Sequence, residues 1–234
     1  RVLGNEKMFH AQWKIVLFLL AATTFQVAIL GREFWGVSAS GLFRLDGLNT
    51  HLAFCFLIYT LFSHVTLRFD AAKFETETGI LQLGFVFSGL MLILANSLIL
   101  YALAAPLVFL IAGVASLCNE TSSKEKGFKA ASVGALVSLV VFTLSAAAVG
   151  QSADTLDLKV LSEKILTAQQ DPQFYIGWAM HAMMCLCLLL LPPTSLFLER
   201  YEKSESWSLT GFFRMSMPLL GTLLFSKWIF LTGI

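Results

Sequence analysis

A single lysine interrupts the apolar stretch LLGTLLFSKWIFLTGI, which runs from Leu219 to Ile234. An ammonium group at the centre of a membrane helix costs about 2.5–3.5 kcal/mol on insertion scales, so Lys227 needs an explanation. One interpretation is that its long side chain snorkels to the outer headgroups. The other is that it faces the bundle interior. A desolvated amine there loses its proton more easily and can form a Schiff base with an aldehyde.

An aldehyde apolar enough to lie inside a helix bundle suggests retinal as the cofactor. Flat or flexible apolar side chains are available for the walls of such a pocket, although the same residue types are also ordinary membrane packing. The candidates are Trp178, Trp228, Phe225, Phe230 and the pair Met183–Met184. The sequence therefore predicts a retinal site built around Lys227.

Histidines offer a second chemistry, because imidazole is a good ligand for haem iron. His51 and His64 lie on the predicted second span and His181 lies on the sixth. Thirteen residues separate His51 from His64, which leaves their side chains roughly 140° apart around a helix. A haem b held between His181 and either His51 or His64 is thus the alternative cofactor site. Histidines that simply bond between helices are a third interpretation.

The composition indicates that these candidate residues belong to a membrane protein. The 234 residues are 57% hydrophobic and only 13% charged, which is too little charge for the surface of a soluble domain. A net charge of +1 gives no case for nucleic-acid binding. Cys55, Cys118, Cys185 and Cys187 lie in or beside apolar stretches and lack the spacing of a disulfide framework.

Hydropathy predicts an all-α bundle of seven transmembrane helices, since each crossing needs roughly 20 apolar residues. The apolar run from Gly79 to Cys118 is too long for one helix and has polar Asn96 and Ser97 near its middle, where a tight turn is expected. A long kinked helix there would instead give six spans. The predicted spans are Trp13–Leu30, Asn49–Leu67, Gly79–Asn96, Ser97–Cys118, Gly127–Gly150, Phe174–Leu198 and Gly211–Ile234.

Loop charges predict that the N-terminus is cytoplasmic, by the positive-inside rule. Four cations lie on the opposite side: Arg32, Arg44, Lys159 and Lys164. Eleven lie on the N-terminal side: Arg1, Lys7, Lys14, Arg68, Lys73, Lys124, Lys126, Lys129, Arg200, Lys203 and Arg214. With seven spans the C-terminus is then outside.

The sequence predicts one domain, residues 1–234, with one extended polar segment. Its apolar residues at about 155–170 have a partly helical spacing, which predicts an amphipathic helix on the outer membrane surface. Pro192 and Pro193 should kink the sixth span and Pro218 the seventh. The predicted partner is the lipid bilayer, with a second copy or other membrane subunits as further options.

Several stretches resemble the heliorhodopsins, an inverted seven-helix family of retinal proteins. MFHAQW, with His10, is similar to the family's histidine region in helix one, and LFSH, with His64, to that in helix two. SGLMLILANS, from Ser88, resembles the run of small residues in helix three. SWSLTGFFRMSMPLLGTLLFSK resembles the loop and helix that lead to the retinal lysine, which would be Lys227.

The resemblance implies light sensing or a regulatory photocycle and no vigorous ion pumping, with His10 and His64 as polar partners of the retinal and Ser88 as a further residue of its site. An enzymatic activity is not expected. The family has a glutamate in helix three that balances the Schiff-base charge, and the matching position here is near Leu83. In the absence of that glutamate, either the Schiff base is neutral or its positive charge is balanced by a chloride ion or by Glu77. The other functional hypothesis is a haem-binding or purely structural subunit of a larger respiratory or photosynthetic complex.

Overall fold

The computed structural model describes residues 2–33, 36–37, 41–67, 76–117, 124–166, 172–190 and 209–232. These residues form eight helices and one minimal strand pair, so the predicted all-α fold class is confirmed at that level. The helices are α1 (Val2–Glu33), α2 (Gly47–Leu67), α3 (Thr76–Leu94), α4 (Leu98–Leu117), α5 (Lys124–Ala153), α6 (Leu158–Leu166), α7 (Pro172–Leu190) and α8 (Leu209–Thr232). The strands are β1 (Gly36–Val37) and β2 (Arg44–Leu45), which pair antiparallel.

Three of the described helices are long and apolar enough to cross a membrane, which fits an integral membrane protein. Their qualifying segments are Gly47–Val65 in α2, Leu98–Ala115 in α4 and Phe128–Ala153 in α5. Shorter apolar stretches occupy Trp13–Ile29, Gly79–Leu94 and Ser216–Leu231. Large apolar side chains such as Phe18, Phe62 and Leu136 point outward, as expected where lipid is the solvent.

The predicted break in the long apolar run is confirmed, because α3 ends at Leu94 and α4 begins at Leu98. The turn between them is held by hydrogen bonds on both sides. The Asn96 N–H donates to the Leu42 carbonyl at 2.7 Å, and the Leu158 N–H donates to the Asn96 carbonyl at 2.8 Å. Asn96 therefore ties the turn to two segments that are distant in sequence.

Three connecting segments meet at this end of the bundle, and we call residues 41–46, 95–97 and 155–158 the connecting layer. Phe43 pairs with Ala95 and Ser97 pairs with Asp157 in isolated antiparallel bridges. The Leu98 N–H also donates to the Leu156 carbonyl at 3.0 Å. These bonds supply partners to irregular backbone, which a membrane environment would otherwise leave unpaired.

The predicted amphipathic segment at about 155–170 contains helix α6. Leu158 and Leu161 are buried against the rest of the protein, whereas Lys159 and Glu163 lie outside and approach each other to 3.8 Å. The apolar side of this helix is thus covered by the bundle itself. Residues 167–170 lie outside the described part of the chain.

Close packing of α5 against α7 depends on a small residue, as is common between membrane helices. A Cβ atom added at Gly177 would lie 2.9 Å from Val149 Cγ2 and 3.0 Å from the Ser145 carbonyl oxygen. The Ser145 hydroxyl also donates to the Gly177 carbonyl at 2.7 Å. Only glycine allows the two backbones to approach this closely.

Two prolines lie inside helices: Pro218 inside α8, within the predicted seventh span, and Pro106 inside α4. Helix α7 is described to Leu190, so Pro192, Pro193 and their predicted kink lie outside the described residues. The final residues of the predicted seventh span, 233 and 234, are outside them as well.

Candidate functional site

Lys227 is buried, with only 2% of its surface exposed. Its Nζ donates hydrogen bonds to the carbonyl oxygens of Ile93 at 2.6 Å and Ala95 at 2.7 Å. The last carbonyls of a helix lack partners within the helix and carry its negative dipole end, so an ammonium group is well placed there. The amine thus faces the protein interior, and the snorkelling interpretation is wrong.

Helix α8 turns Lys227 inward because an apolar stripe runs along the same face. The other members of this stripe are buried and recur at intervals of three or four residues, as one helix face requires: Phe213, Met217, Leu220 and Leu224. Lys227 continues the interval after Leu224. This spacing was visible in the sequence and could have decided between the inward and snorkelling orientations.

An aromatic cluster lies beside Lys227, and its members are Tyr101, Phe142, Trp178, His181, Phe225 and Trp228. Lys227 Nζ lies 5.8 Å from the centre of the Tyr101 ring. The His181 ring lies 4.5 Å from that of Tyr101, and the Trp178 ring lies 6.1 Å from both His181 and Trp228. Phe225 stacks on Trp228 at 6.1 Å, so three predicted wall residues are brought together here.

Three ring nitrogens in the aromatic cluster are buried and have no hydrogen-bond partner among the described residues. They are His181 Nδ1, Trp178 Nε1 and Trp228 Nε1. Buried polar atoms without partners are costly and few in folded proteins, and such an atom is a reason to look for a bound group. The buried amine and the unpaired ring nitrogens make the region around Lys227 the candidate ligand site.

Asp46 and Arg44 bring charge to this region from the connecting layer. Their side chains form an ion pair at 3.0 Å, and Asp46 Oδ1 also accepts a hydrogen bond from the Asn49 N–H at 2.8 Å. Asp46 comes directly before α2 and lies outside the predicted second span, which begins at Asn49.

His64 lies in a separate buried cluster, so its predicted place beside Lys227 is wrong. Its Nδ1 is 2.8 Å from Gln82 Oε1, and its ring stacks on Trp13 at 5.4 Å. His64 is in the last turns of α2, whereas Asp46 precedes the first turn, about 27 Å away along the helix axis at 1.5 Å per residue. This cluster joins α1, α2 and α3 at the other end of the bundle.

The remaining predicted site residues are dispersed. Met183 is 61% exposed and Phe230 is 69% exposed, so neither contributes a wall to the interior, whereas Met184 is buried. The Ser88 hydroxyl donates to carbonyls of its own helix, at Gly84 and Phe85. His10 lies on α1, but its side chain is outside the described part of the structure, as is that of Glu77 on α3.

The three predicted haem ligands have three different surroundings. His51 is exposed and its ring contacts the Gly47 carbonyl one turn earlier. Both ring nitrogens of His64 already have oxygen partners, in Gln82 and Trp13. His181 lies within the aromatic cluster. Over the described residues, no three His, Cys, Asp or Glu side chains converge as a metal site.

An open groove of about 580 Å³ lies elsewhere, at the end of α5. It follows the helix from Ala146 to Asp154 and reaches Leu156 in the connecting layer. Its lining is mostly apolar and does not include Lys227. The candidate site is therefore the interior region around the lysine, and this surface groove is distinct from it.

Comparisons with known proteins add no relative to this description. No family model matches the sequence, and no curated protein matches it. The class that the fold and site define is an all-helical protein with three helices able to cross a membrane and a lysine buried among aromatic rings.

Proposed function

We propose that the protein is a retinal-binding, light-sensing membrane protein of heliorhodopsin type, with Lys227 as the attachment point. The observation that carries the proposal is the burial of the Lys227 amine beside the aromatic cluster. The stretch that resembles the retinal-lysine region of that family ends at the same residue. Retinal condensed with this amine would supply the visible absorption.

The described residues have distinct roles in this proposal. Trp178, Trp228 and Phe225 would line the polyene, because their rings are flat and apolar. The carbonyl of Ile93 or Ala95 would accept the one N–H of a protonated Schiff base and so orient it, since both carbonyls accept hydrogen bonds from the free amine. His181 Nδ1 has no partner among the described residues and would be a polar contact of the site, as an acceptor in the tautomer that carries its proton on Nε2.

The proposal includes seven membrane crossings, made by α1 to α5, α7 and α8. The N-terminus is cytoplasmic, in line with the excess of loop cations on its side. Lys227 then lies towards the outer end of α8. This agrees with its bonds to the end of α3, because α3 would run from the cytoplasm outward.

An absorption spectrum tests the proposal directly. The protein, purified in mild detergent and incubated with all-trans-retinal, should develop a visible band that hydroxylamine bleaches. Lys227→Ala should abolish the band, and borohydride reduction of the wild-type pigment should fix the retinyl mass on the peptide that contains Lys227. Lys159→Ala is the matched control, because that lysine is exposed on α6. A colourless wild-type protein would contradict the proposal.

A second candidate function is that of a structural subunit in a larger membrane complex. One observation favours it: Lys227 Nζ already has two acceptors and so serves as a cap for the end of α3 without any cofactor. The same absorption spectrum separates the two candidate functions, because a structural subunit would stay colourless after incubation with retinal. A Soret band would instead indicate haem, and His181→Ala should then remove it.

A further inference from the structure

We propose that Asn96 is a positioning residue of the lysine site, and that its hydrogen bonds fix the Ala95 carbonyl that accepts from Lys227 Nζ. For the free amine this inference stands without any cofactor, whereas its consequence for a pigment rests on the proposed function. Two carbonyls bind the amine, that of Ile93 at 2.6 Å and that of Ala95 at 2.7 Å. Ile93 belongs to α3, so the helix sets the direction of its carbonyl. Ala95 lies beyond the last helical residue, Leu94, so its carbonyl needs another support.

The peptide group between Ala95 and Asn96 links the lysine to the connecting layer. Its oxygen accepts from Lys227 Nζ, and its N–H donates to the Leu42 carbonyl at 2.7 Å. Because a planar trans peptide directs these two groups in opposite directions, neither can turn without disturbing the bond of the other. Hydrogen bonds in series also polarise and strengthen one another. The main chain at Asn96 therefore holds the acceptor between the lysine and Leu42.

The Asn96 side chain holds the same peptide group from a second direction. Its amide nitrogen uses both of its hydrogens, since Nδ2 donates to the Gly41 carbonyl at 3.1 Å and to Asp157 Oδ2 at 2.8 Å. A carbonyl and a carboxylate only accept, so the nitrogen of the amide, and not its oxygen, must face them. Asn96 is buried, which keeps these bonds away from solvent.

The two segments that receive the Asn96 side chain are themselves fixed. Phe43 pairs with Ala95 in a β-bridge, two residues after Gly41. On the other side, Asp157 Oδ1 caps α6 by accepting from the Lys159 N–H at 2.8 Å. Loss of the Asn96 side chain should thus loosen the Ala95 carbonyl, while α3 and the two partner segments keep their own bonds.

The test is the chemical reactivity of the lysine in the full chain without retinal. Reductive methylation by formaldehyde and a borane reductant requires an amine that has left its acceptors, and peptide mass spectrometry gives its rate at each lysine. The rate at Lys227 is divided by that at exposed Lys159 in the same sample. Asn96→Ala should raise this ratio by about threefold to tenfold, as expected when a hydrogen bond of ordinary net strength no longer supports the acceptor.

Two further variants make the result specific. Gln82→Leu removes a buried hydrogen bond elsewhere on α3 and should leave the ratio unchanged. Asp157→Ser keeps an oxygen to cap α6 but removes the one that accepts from Asn96, so it should raise the ratio by about twofold. An unchanged ratio in Asn96→Ala, or in Asp157→Ser if Asn96→Ala does not fold, overturns the proposal. An equal rise in Gln82→Leu overturns it as well, because general loss of stability would then be the cause.

A second measurement uses the protein loaded with retinal. Asn96→Ala should speed the bleaching of the visible band by hydroxylamine by about threefold to tenfold, because a less fixed acceptor leaves the Schiff base more open to attack. Gln82→Leu should not change that rate. If a band forms but Asn96→Ala changes neither reaction, the positioning role fails and the proposed function stands. If no band forms in the wild-type protein and the methylation ratio still rises, the positioning role stands and the proposed function fails.

Discussion

His64 and Gln82 are hydrogen-bonded at 2.8 Å in the buried interior between α2 and α3. The bond joins two helices far from the Lys227 site, and Trp13 of α1 completes the arrangement by stacking on the imidazole. Polar contacts of this kind between membrane helices contribute about 0.6–2 kcal/mol each. Loss of such a contact should lower the stability measurably, because no water reaches the buried group to replace the lost partner.

Gln82→Leu should therefore destabilise the protein by about 1 kcal/mol, since a net hydrogen bond is lost with little change in volume. The measurement is unfolding in a graded detergent mixture, followed by circular dichroism. Gln151→Leu is the control, because Gln151 is exposed near the end of α5. In a cycle with His64→Phe the two losses should be less than additive. Full additivity would mean that the pair does not act as a unit.

The hydrogen bonds of Lys227 give a second prediction, which compares the stability of two uncharged variants, Lys227→Gln and Lys227→Met. Gln can still donate to the carbonyls of Ile93 and Ala95, whereas Met leaves them without this donor. Lys227→Met should thus be less stable than Lys227→Gln by about 1–3 kcal/mol, as judged by the same unfolding assay. Lys159→Met and Lys159→Gln should be equally stable, because Lys159 is exposed. Equal stability of the two variants at position 227 would argue against the capping role.

Much of the helical framework could be predicted because apolar composition is a local property. The turn at Asn96 and Ser97 was found because polar residues interrupt an apolar run, and it separates α3 from α4. The amphipathic spacing after residue 155 likewise marked α6. Whether all seven long helices cross the membrane remains a prediction.

Side-chain partners were harder to predict, for reasons that differ between residues. Trp178, His181 and Cys185 recur at helical spacing and are all buried, so Met183 could have been placed on the opposite face by the same periodicity. His64 was predicted beside Lys227 from the resemblance alone, whereas it lies in the last turn of α2, away from the carbonyls that bind Lys227. The bridge between Phe43 and Ala95 could not be predicted, because no periodicity encodes such a long-range contact.

The close approach of α5 and α7 gives a third prediction. Gly177→Ala should destabilise the protein by about 1–3 kcal/mol, because the new methyl group would lie within 3.0 Å of Val149, Ala148 and the Ser145 carbonyl. Gly84→Ala is the control, since its Cβ would meet the flexible end of Ile111 at 3.3 Å. A loss at position 177 no greater than that at position 84 would contradict the packing argument.

The proposed orientation gives the last prediction, which uses the two ends of α5. With a cytoplasmic N-terminus and seven crossings, Lys129 near the start of α5 lies inside and Asp154 just after its end lies outside. Both are exposed in the structure, so a cysteine at either position can be labelled.

In a variant whose native cysteines are replaced by alanine, a membrane-impermeant maleimide added to intact cells should label Asp154→Cys at once. Lys129→Cys should react only after the membrane is permeabilised. The opposite pattern would invert the topology, and labelling of both from outside would show that α5 does not cross the bilayer.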